Sequence, residues 1–415
     1  MIIKNSGGAA ARPIIFEGPP SVETLRLHRE RIGELPPAAR RSDLIGSLER
    51  SGLQGRGGAG FPVGRKWRSV AERAGGRVVL ANGAEGEPLS IKDRSLMSSR
   101  PHLVVDGALL AADAIGADEV IFYIGAEHHV ARASMTRALA ERQRDFGRRR
   151  VRLINAPAAY VAGEESAAVN FVQKGIARPT LTPPRPFERG VRARPTLVQN
   201  VESLAMAALI AQYGDPWFRG LGRRSAAGFG LVTVSGAVAH PGLQEVELGS
   251  TVGEVAEAAG GVRSGVQAVL LGGYFGAFAH ASEAWELELD QAGMRARGFA
   301  LGCGVVSLLS EAECGVTSAS RIMTFMASQS ARQCGPCVFG LAAIADATSR
   351  LAARRAQASD LERIERWCAQ LTGRGACRHP DGAAGLLSSA IRVFQDEFFA
   401  HQGGLCTRQP ALKAA

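Results

Sequence analysis

The sequence predicts an α/β protein of three domains, and three observations support this. Predicted strands and helices alternate over residues 77–155, two strands and a short helix follow from about 226, and the pattern is helical from about 318. Alternating strands and helices are typical of a parallel sheet. A chain of 415 residues is also long for one core. We expect an α/β domain over 1–225, an α+β domain over 226–312 and a helical domain over 313–415.

The first domain begins with a helical lead-in over 15–50, which Pro36 and Pro37 interrupt. Ligands of parallel sheets bind at the carboxyl ends of the strands, where the turns Asn82–Pro88 and Ala158–Ser166 would lie. The predicted elements are a strand at Arg77–Ala81, a helix at about 101–115, a strand at Glu119–Ile124, a helix at about 127–145 and a strand at Val151–Asn155.

The second domain is predicted to open with strands at Gly230–Gly236 and Gln244–Leu248. Thr251 is the expected N-cap of a short helix, Val252–Ala259. In the third domain, Ser359–Glu362 has the sequence of a capping box, and Leu386–His401 has amphipathic helical spacing.

The charge pattern argues against nucleic-acid binding. The formal net charge is +10, but only 5 of the 49 cationic side chains are lysine, which is more typical of a genomic bias towards arginine. No aromatic residues interleave with the basic run Arg148–Arg150 to form a stacking platform. An acidic protein partner is the better expectation.

The chain is expected to be soluble and cytoplasmic. Its longest apolar stretch, Val104–Ala126, contains four acidic residues, and the first residues lack a secretory apolar region. All seven cysteines lie beyond residue 300. This clustering indicates a local metal or redox module and not a disulfide scaffold.

The segment Gly55–Trp67 is rich in glycine and ends in a cation. Five glycines occur within ten residues, and Lys66 follows them. Glycine permits positive φ and a close approach of the backbone to a ligand. Successive N–H groups in such a turn bind anions, and a lysine adds a point charge. Taken alone, the segment predicts either a phosphate site or a flexible surface loop.

Together with the acidic turn, the segment around Tyr160 and a Cys-x-x-Cys pair, this loop resembles one family. That family is the NADH-binding flavoprotein subunit of respiratory complex I, with relatives in soluble hydrogenases and formate dehydrogenases. The resemblance runs from Ser51 to the C-terminal helices. It implies a Rossmann-like FMN-binding domain, a ubiquitin-like (soluble-ligand-binding β-grasp) α+β domain, and a C-terminal helical bundle that carries a [4Fe–4S] cluster.

The resemblance also implies roles for individual residues. The glycine loop and Lys66 would hold the FMN phosphate, the acidic turn would hold the ribityl chain and the ring, and Glu87 and Glu165 would border the nicotinamide of NAD(P)H. A flavin mononucleotide needs such anion donors and hydrogen-bond partners. The cofactor-binding positions are Gly55, Arg56, Gly57, Gly58, Phe61, Lys66, Asn82, Glu85, Glu87, Tyr160, Gly163, Glu164, Glu165, Asn200 and Ser203.

Three departures from the family concern the nucleotide. Ala84 replaces an aspartate of the acidic turn, and Thr182 and Arg185 replace a lysine and a phenylalanine. Of the aromatic clamp for adenine, Phe61 remains. Each lost ring weakens stacking by about 1–3 kcal/mol. Arg185 could instead bind a 2′-phosphate, which would favour NADPH, or it could simply face solvent.

The cluster motif also departs from the family. Cys334, Cys337 and Cys377 occupy the second, third and fourth ligand positions, and Ala331 occupies the first. By itself, Cys-x-x-Cys fits a redox dithiol, half of a zinc site or part of an iron–sulfur site. Four thiolates usually hold [4Fe–4S], so three favour a [3Fe–4S] product, a substitute ligand or loss of the cluster. Ser330 and another cysteine are the substitutes, although Cys303, Cys314, Cys368 and Cys406 are expected to include ordinary buried thiols.

The resulting prediction is an NAD(P)H-oxidising flavoprotein. Electrons would pass through FMN and an iron–sulfur cluster to a protein acceptor, such as an acidic ferredoxin or a thioredoxin-like iron–sulfur subunit. Two alternatives stay open. The chain could be a non-catalytic scaffold that has lost nucleotide or cluster binding, or a flavoprotein that uses a different electron donor.

Overall fold

A computed structural model describes residues 15–16, 22–37 and 42–408. The expectation about the first residues of the chain lies outside this range, as does part of the helical lead-in. The described residues form two compact units. The first contains those up to Val232 together with Leu243–Ser250, and the second contains Thr233–Gly242 and those from Thr251 onward.

The first unit is built on a four-stranded parallel sheet with the order β3-β2-β1-β4. Its strands are β1 Arg77–Gly83, β2 Ala117–Gly125, β3 Arg150–Ala156 and β4 Thr196–Asn200. Its helices are α1 Leu25–Ile32, α2 Leu44–Ser51, α3 Val63–Ala71, α4 Lys92–Ser99, α5 Pro101–Ile115, α6 His129–Glu141, α7 Glu165–Lys174, α8 Pro186–Arg189, α9 Val201–Tyr213 and α10 Asp215–Arg219.

The core of this unit lies where α5 and α9 pack beside β1. Both helices are buried on nearly all sides, and Gly107 lets them approach closely, since a Cβ there would lie 2.1 Å from the carbonyl oxygen of Leu204. The chain runs from β1 through β2 to β3 on one side and returns to place β4 on the other. The strand order therefore reverses between β1 and β4, which is where open α/β sheets bind ligands.

A five-stranded mixed sheet follows in the order β6-β5-β9-β7-β8. Strand β5 is parallel to β9, and β7 is antiparallel to β8 and β9. The strands are β5 Phe229–Gly236, β6 Gly242–Glu247, β7 Val266–Leu271, β8 Ala277–His280 and β9 Val305–Ser310, and the helices among them are α11 Val252–Ala258, α12 Ala281–Ala284 and α13 Gln291–Ala296.

The remaining residues are helical, as the sequence predicts. A π-helical turn, Pro336–Gly340, precedes α15. The helices are α14 Gly315–Ser328, α15 Leu341–Ala352, α16 Asp360–Leu371, α17 His379–Val393 and α18 Gln395–Gln402. Within the described residues, no helix is long and apolar enough to cross a membrane.

Two predicted caps have different outcomes. Thr251 caps α11 in a capping box with Glu254, as expected. The box predicted at Ser359 is wrong, because the Ser359 side chain makes no capping hydrogen bond. The Asp360 carboxylate instead accepts the Gln357 N–H at 2.9 Å and pairs with Arg350. The predicted amphipathic stretch Leu386–His401 is also divided, between α17 and α18.

Candidate functional site

The glycine loop narrows towards the start of α9. The Gly55 N–H donates to the Phe61 carbonyl at 2.9 Å, which closes the loop. Gly58 and Gly60 have φ of 110° and 63°, the left-handed region that side chains disfavour. A Cβ on Gly57 would lie 3.3 Å from the Asn200 Cβ. The loop therefore needs glycine for its bend and for its approach to Asn200.

Arg56 and Ser203 support this loop from below. The Arg56 N–H donates to the Ser203 hydroxyl at 2.9 Å, and Ser203 is fully buried. The Arg56 side chain is 5% exposed and donates to the Phe229 carbonyl at 2.8 Å. Burial lowers the pKa of its guanidinium. Both residues were predicted to bind the cofactor, but their polar groups face each other and the protein interior.

Asn200 is held by a buried ionic cluster that sequence reasoning missed. Its Oδ1 accepts the N–H groups of Glu202 and Ser203 at the start of α9, and its Nδ2 donates to Asp93 at 2.7 Å. The Lys92 ammonium lies 2.7 Å from Asp93 and 2.9 Å from Glu202. The signal in the sequence was the Lys92-Asp93 pair soon after the acidic turn, together with Glu202 inside the segment that supplied Asn200 and Ser203.

Charge in this cluster is nearly balanced. Burial, together with the carboxylates of Glu85 and Glu202, raises the pKa of Asp93 to about 7, although Lys92 opposes the rise. Burial also disfavours a charged Lys92, but its acidic neighbours outweigh that effect and raise its pKa. Lys92 therefore stays protonated, while Asp93 is the carboxyl of the cluster that most readily takes up a proton.

The acidic turn after β1 is tied to the segment after β3. The Asn82 Nδ2 donates to the Gly163 carbonyl at 2.8 Å, and the Tyr160 hydroxyl donates to Glu87 at 3.0 Å. A Cβ on Gly86 would lie 2.8 Å from the Tyr160 carbonyl oxygen. These contacts bring four predicted flavin residues together at the edge of the sheet.

The Glu85 carboxylate has a structural partner. It accepts the N–H groups of Asp93 and Arg94 at 2.8 and 2.9 Å, and the Ser90 hydroxyl at 2.8 Å. An acid at this place suits the positive end of α4. Glu85 itself has φ of 41°. It therefore fixes the acidic turn onto α4 at the floor of the site.

Glu164 and Glu165 open α7. Glu164 is its N-cap and accepts the Ala167 N–H at 2.9 Å. Glu165 lies 3.1 Å from the Lys66 ammonium and 3.8 Å from the Arg185 guanidinium. Lys66 is 27% exposed, so its charge remains accessible beside the glycine loop. Phe61 is 48% exposed at the same loop, with Arg65 over its ring at 5.9 Å.

These residues fit a flavin mononucleotide. The bare backbone of Gly57 and Gly58 leaves room for a phosphate, and nothing lies within 4 Å of where a Gly58 Cβ would be. Lys66 supplies a cation, and Asn82 and Asn200 supply amides near the strand ends. Anion donors at one end and hydrogen-bonding side chains beyond them are what this cofactor requires.

The predicted cluster ligands are brought together in the second unit. The Cys334 thiol receives backbone N–H groups from Ala376 and Cys337, which outweigh its burial and lower its pKa. Burial and the neighbouring thiols Cys334 and Cys377 raise the pKa of Cys337 to about 12. The three thiols are therefore close enough to interact, and they fit a shared iron–sulfur centre.

The first ligand position offers no donor, but its neighbour does. Ala331 is buried. The Ser330 hydroxyl oxygen is also buried, and within the described part of the chain it has no hydrogen-bond partner. An orphaned buried hydroxyl is unfavourable. Ser330 therefore matches the substitute-ligand expectation better than Ala331 does.

Comparison with known proteins agrees with these sites. Residues 48–208 match the Nuo51 FMN-binding domain, residues 231–273 match the SLBB domain, and residues 317–401 match the NADH-ubiquinone oxidoreductase-F iron-sulfur binding region. The chain is 35% identical to the F-type subunit numbered 2 of NADH-quinone oxidoreductase in Rhizobium meliloti, with 91% of both chains covered. It is 32% identical to the F-type subunit of NADH-quinone oxidoreductase in Streptomyces coelicolor, with 90% of this chain and 86% of that one covered.

A solved structure extends the similarity to three dimensions. The chain matches one in the crystal structure of the NAD+-reducing [NiFe]-hydrogenase in the air-oxidized state, with a TM-score of 0.84 and 30% identity. The match covers 98% of this chain and 70% of that one. The glycine loop, the acidic turn and the grouped cysteines thus lie in a chain similar to these relatives over nearly its whole length. The chain belongs to the family of F-type subunits of NADH-quinone oxidoreductase.

Proposed function

We propose that this chain is an NADH-oxidising flavoprotein subunit that passes electrons through FMN to an iron–sulfur cluster and on to a protein acceptor. The observation that carries the proposal is the convergence of the glycine loop, the acidic turn and the Tyr160 segment at the point where the strand order reverses. This convergence occurs in a chain with family-wide similarity to the F-type subunits of NADH-quinone oxidoreductase.

The residues divide the work by position. Loop N–H groups and Lys66 hold the phosphate, while Asn82 and Asn200 orient the cofactor from opposite sides of β1. Glu87 and Glu165 border the nicotinamide, and Phe61 packs against the adenine. Bound here, FMN accepts a hydride from the reduced nicotinamide and releases the two electrons one at a time.

For the cluster, we propose Cys334, Cys337 and Cys377 as ligands, with the Ser330 hydroxyl completing a [4Fe–4S] set. The orphaned Ser330 oxygen supports the fourth ligand. Without it, three thiolates would hold one iron less firmly and favour [3Fe–4S].

We also propose the domain arrangement predicted from the sequence. A Rossmann-like domain spans 1–225, a ubiquitin-like β-grasp domain spans 226–312, and the helical iron–sulfur domain spans 313–415. The parallel pairing of β5 with β9 within a mixed sheet supports the middle domain. The net charge of +10 supports an acidic ferredoxin or a thioredoxin-like iron–sulfur subunit as the acceptor.

The direct test of the flavin site is reconstitution of apoprotein with FMN, measured by quenching of FMN fluorescence. Gly57→Val should weaken binding, because its Cβ would press on Asn200 and its methyl groups would enter the loop. Overpacking costs about 1–3 kcal/mol, or roughly 5- to 150-fold in affinity.

Gly385→Ala is the matched control, because its Cβ meets nothing within 4 Å and its φ is not positive. Equal FMN affinity in wild type and Gly57→Val would contradict the site. Wild-type protein that takes up neither FMN nor iron would favour the scaffold alternative. Protein that holds FMN but is not reduced by NADH would favour a different donor.

A further inference from the structure

A second group of metal-ligand side chains lies apart from the predicted cluster ligands. The ligand atoms of Cys314, His401 and Cys406 all lie within 4.8 Å of one another. The Cys314 Sγ is 3.3 Å from the His401 Nε2. His401 is only 1% exposed, and the two cysteines are half-buried. The group contains none of Cys334, Cys337 and Cys377, so it is a separate cluster.

The histidine is oriented as metal-binding histidines are. Its Nδ1 lies 2.9 Å from the Leu351 carbonyl oxygen. Because a carbonyl can only accept, Nδ1 must carry the proton, which leaves the Nε2 lone pair directed at the sulfur of Cys314. A backbone carbonyl that fixes the ring and its tautomer in this way is the usual outer partner of a metal-bound histidine.

The three residues come from distant segments that the fold brings together. Cys314 is the N-cap of α14 and accepts the Thr317 N–H at 3.4 Å. His401 lies in the last turn of α18, and Cys406 lies in the segment that follows this helix. Cys314 and Cys406 lie outside residues 317–401, the part that matches the iron–sulfur region.

Glu397 fixes both sides of the group without occupying it. Its Oε2 accepts the Gly315 N–H at 2.7 Å, next to Cys314, and its Oε1 accepts from Arg408 at 3.0 Å, near Cys406. Both carboxylate oxygens are therefore engaged by donors. The Cys406 thiol donates to the Arg408 carbonyl at 3.1 Å, a bond that a metal would replace.

We propose that Cys314, His401 and Cys406 bind a zinc ion, with water as the fourth ligand. Two sulfurs and one imidazole nitrogen are ligands that Zn²⁺ prefers, and two thiolates would neutralise its charge. Binding would release the two thiol protons to solvent. The ion would join the start of α14 to the end of α18 and to the segment after it, as a second metal centre beside the iron–sulfur cluster.

The test is the metal content of the full chain, purified under reducing, anaerobic conditions and measured by plasma mass spectrometry. Wild type should carry about one zinc per chain in addition to its iron, since one site has one ion. Cys314→Ser and Cys406→Ser together should remove the zinc and keep the iron. Cys334→Ser and Cys337→Ser together should remove the iron and keep the zinc.

Cys303→Ser is the matched control, because this half-buried thiol also donates to a backbone carbonyl, that of Gly272 at 3.3 Å, but has no part in the group. If the double variants do not fold, anaerobic titration of wild type with Co²⁺ gives a second measurement. It should show thiolate-to-cobalt absorption that saturates at about one equivalent and disappears when Zn²⁺ is added. Wild type without zinc or cobalt binding, zinc that depends on Cys334 and Cys337, or a Cys314–Cys406 disulfide in the reduced preparation would overturn the proposal.

Discussion

Asn200 shows how single residues shape the flavin site. Its Cβ faces Gly57, its Oδ1 caps α9, and its Nδ2 donates to Asp93. The family pattern in the sequence pointed to Asn200 as a flavin residue. Its partner Asp93 could not be predicted in the same way, because a hydrogen bond between residues 107 positions apart depends on the fold. Motifs therefore identify the groups near a ligand more readily than the groups that orient them.

Ser330 can be tested as the fourth cluster ligand. In Ser330→Ala, the iron content after anaerobic reconstitution should fall from about four to about three per chain, since a [4Fe–4S] centre then lacks one ligand. Electron paramagnetic resonance of the oxidised protein should show a [3Fe–4S] signal. Adding Ala331→Cys should restore the fourth iron, because it supplies a thiol at the family's first ligand position. Unchanged iron in Ser330→Ala would contradict the assignment.

Arg185 can be tested as a determinant of the nucleotide. Its side chain is 61% exposed, and the guanidinium lies 3.8 Å from Glu165. If it binds a 2′-phosphate, Arg185→Ala should lower kcat/KM for NADPH and leave that for NADH unchanged. Hydrogen bonds to charged groups contribute about 1.5–3 kcal/mol, or roughly 10- to 150-fold. Arg189→Ala, an exposed neighbour on α8, is the control. Equal kinetics with both nucleotides, unaffected by Arg185→Ala, would exclude this role.

At the scale of elements, α1 joins α5 through buried charges. The His28 Nε2 lies 2.7 Å from Asp106, and its Nδ1 lies 3.3 Å from Glu23. Arg142, which follows α6, also donates to Asp106 at 2.7 Å. Burial opposes charge on His28, but Asp106 and Glu23 outweigh it and raise its pKa. Burial likewise disfavours ionised Glu23, yet His28 and Arg31 lower the pKa of Glu23 to about 2.

This network makes stability depend on pH in a defined direction. A raised pKa means that the contribution of His28 is present below about 6.5, the ordinary pKa of histidine, and is lost as the pH rises through its folded value. His28→Gln should therefore lower Tm more at pH 6 than at pH 9. Breaking a buried pair costs about 3–5 kcal/mol, which predicts a deficit of at least about 6 °C at pH 6. Scanning calorimetry measures it, with exposed His129→Gln as the control. A deficit that grows with pH would contradict the network.

Elements were predictable where their pattern is simple. Strands β1, β2 and β3 and helix α5 lie within a few residues of their predicted positions, because apolar runs and helical periodicity mark them. Helix α9 was missed, since it is buried on nearly every side and lacks an amphipathic stripe. The strand β4 before it has only five residues. Short or fully buried elements show little contrast along the sequence.

At the scale of the molecule, cysteine chemistry divides into two groups in one unit. The sequence identified Cys334, Cys337 and Cys377 through their spacing, and it did not associate Cys314 with His401, 87 positions away. Of the remaining thiols, Cys368 is an ordinary buried one, and burial raises its pKa to about 11. Spacing reveals ligands that are near in sequence, whereas ligands from separate helices become apparent only when the helices pack.

The central claim is that the site oxidises NADH through a bound flavin and an iron–sulfur cluster. The most direct measurement is an anaerobic titration of the reconstituted full chain with NADH, followed by ultraviolet–visible and electron paramagnetic resonance spectra. The account predicts that NADH bleaches the flavin absorbance and that a reduced-cluster signal then appears. Flavin absorbance that stays unchanged with excess NADH, in protein shown to contain FMN and iron, would contradict it.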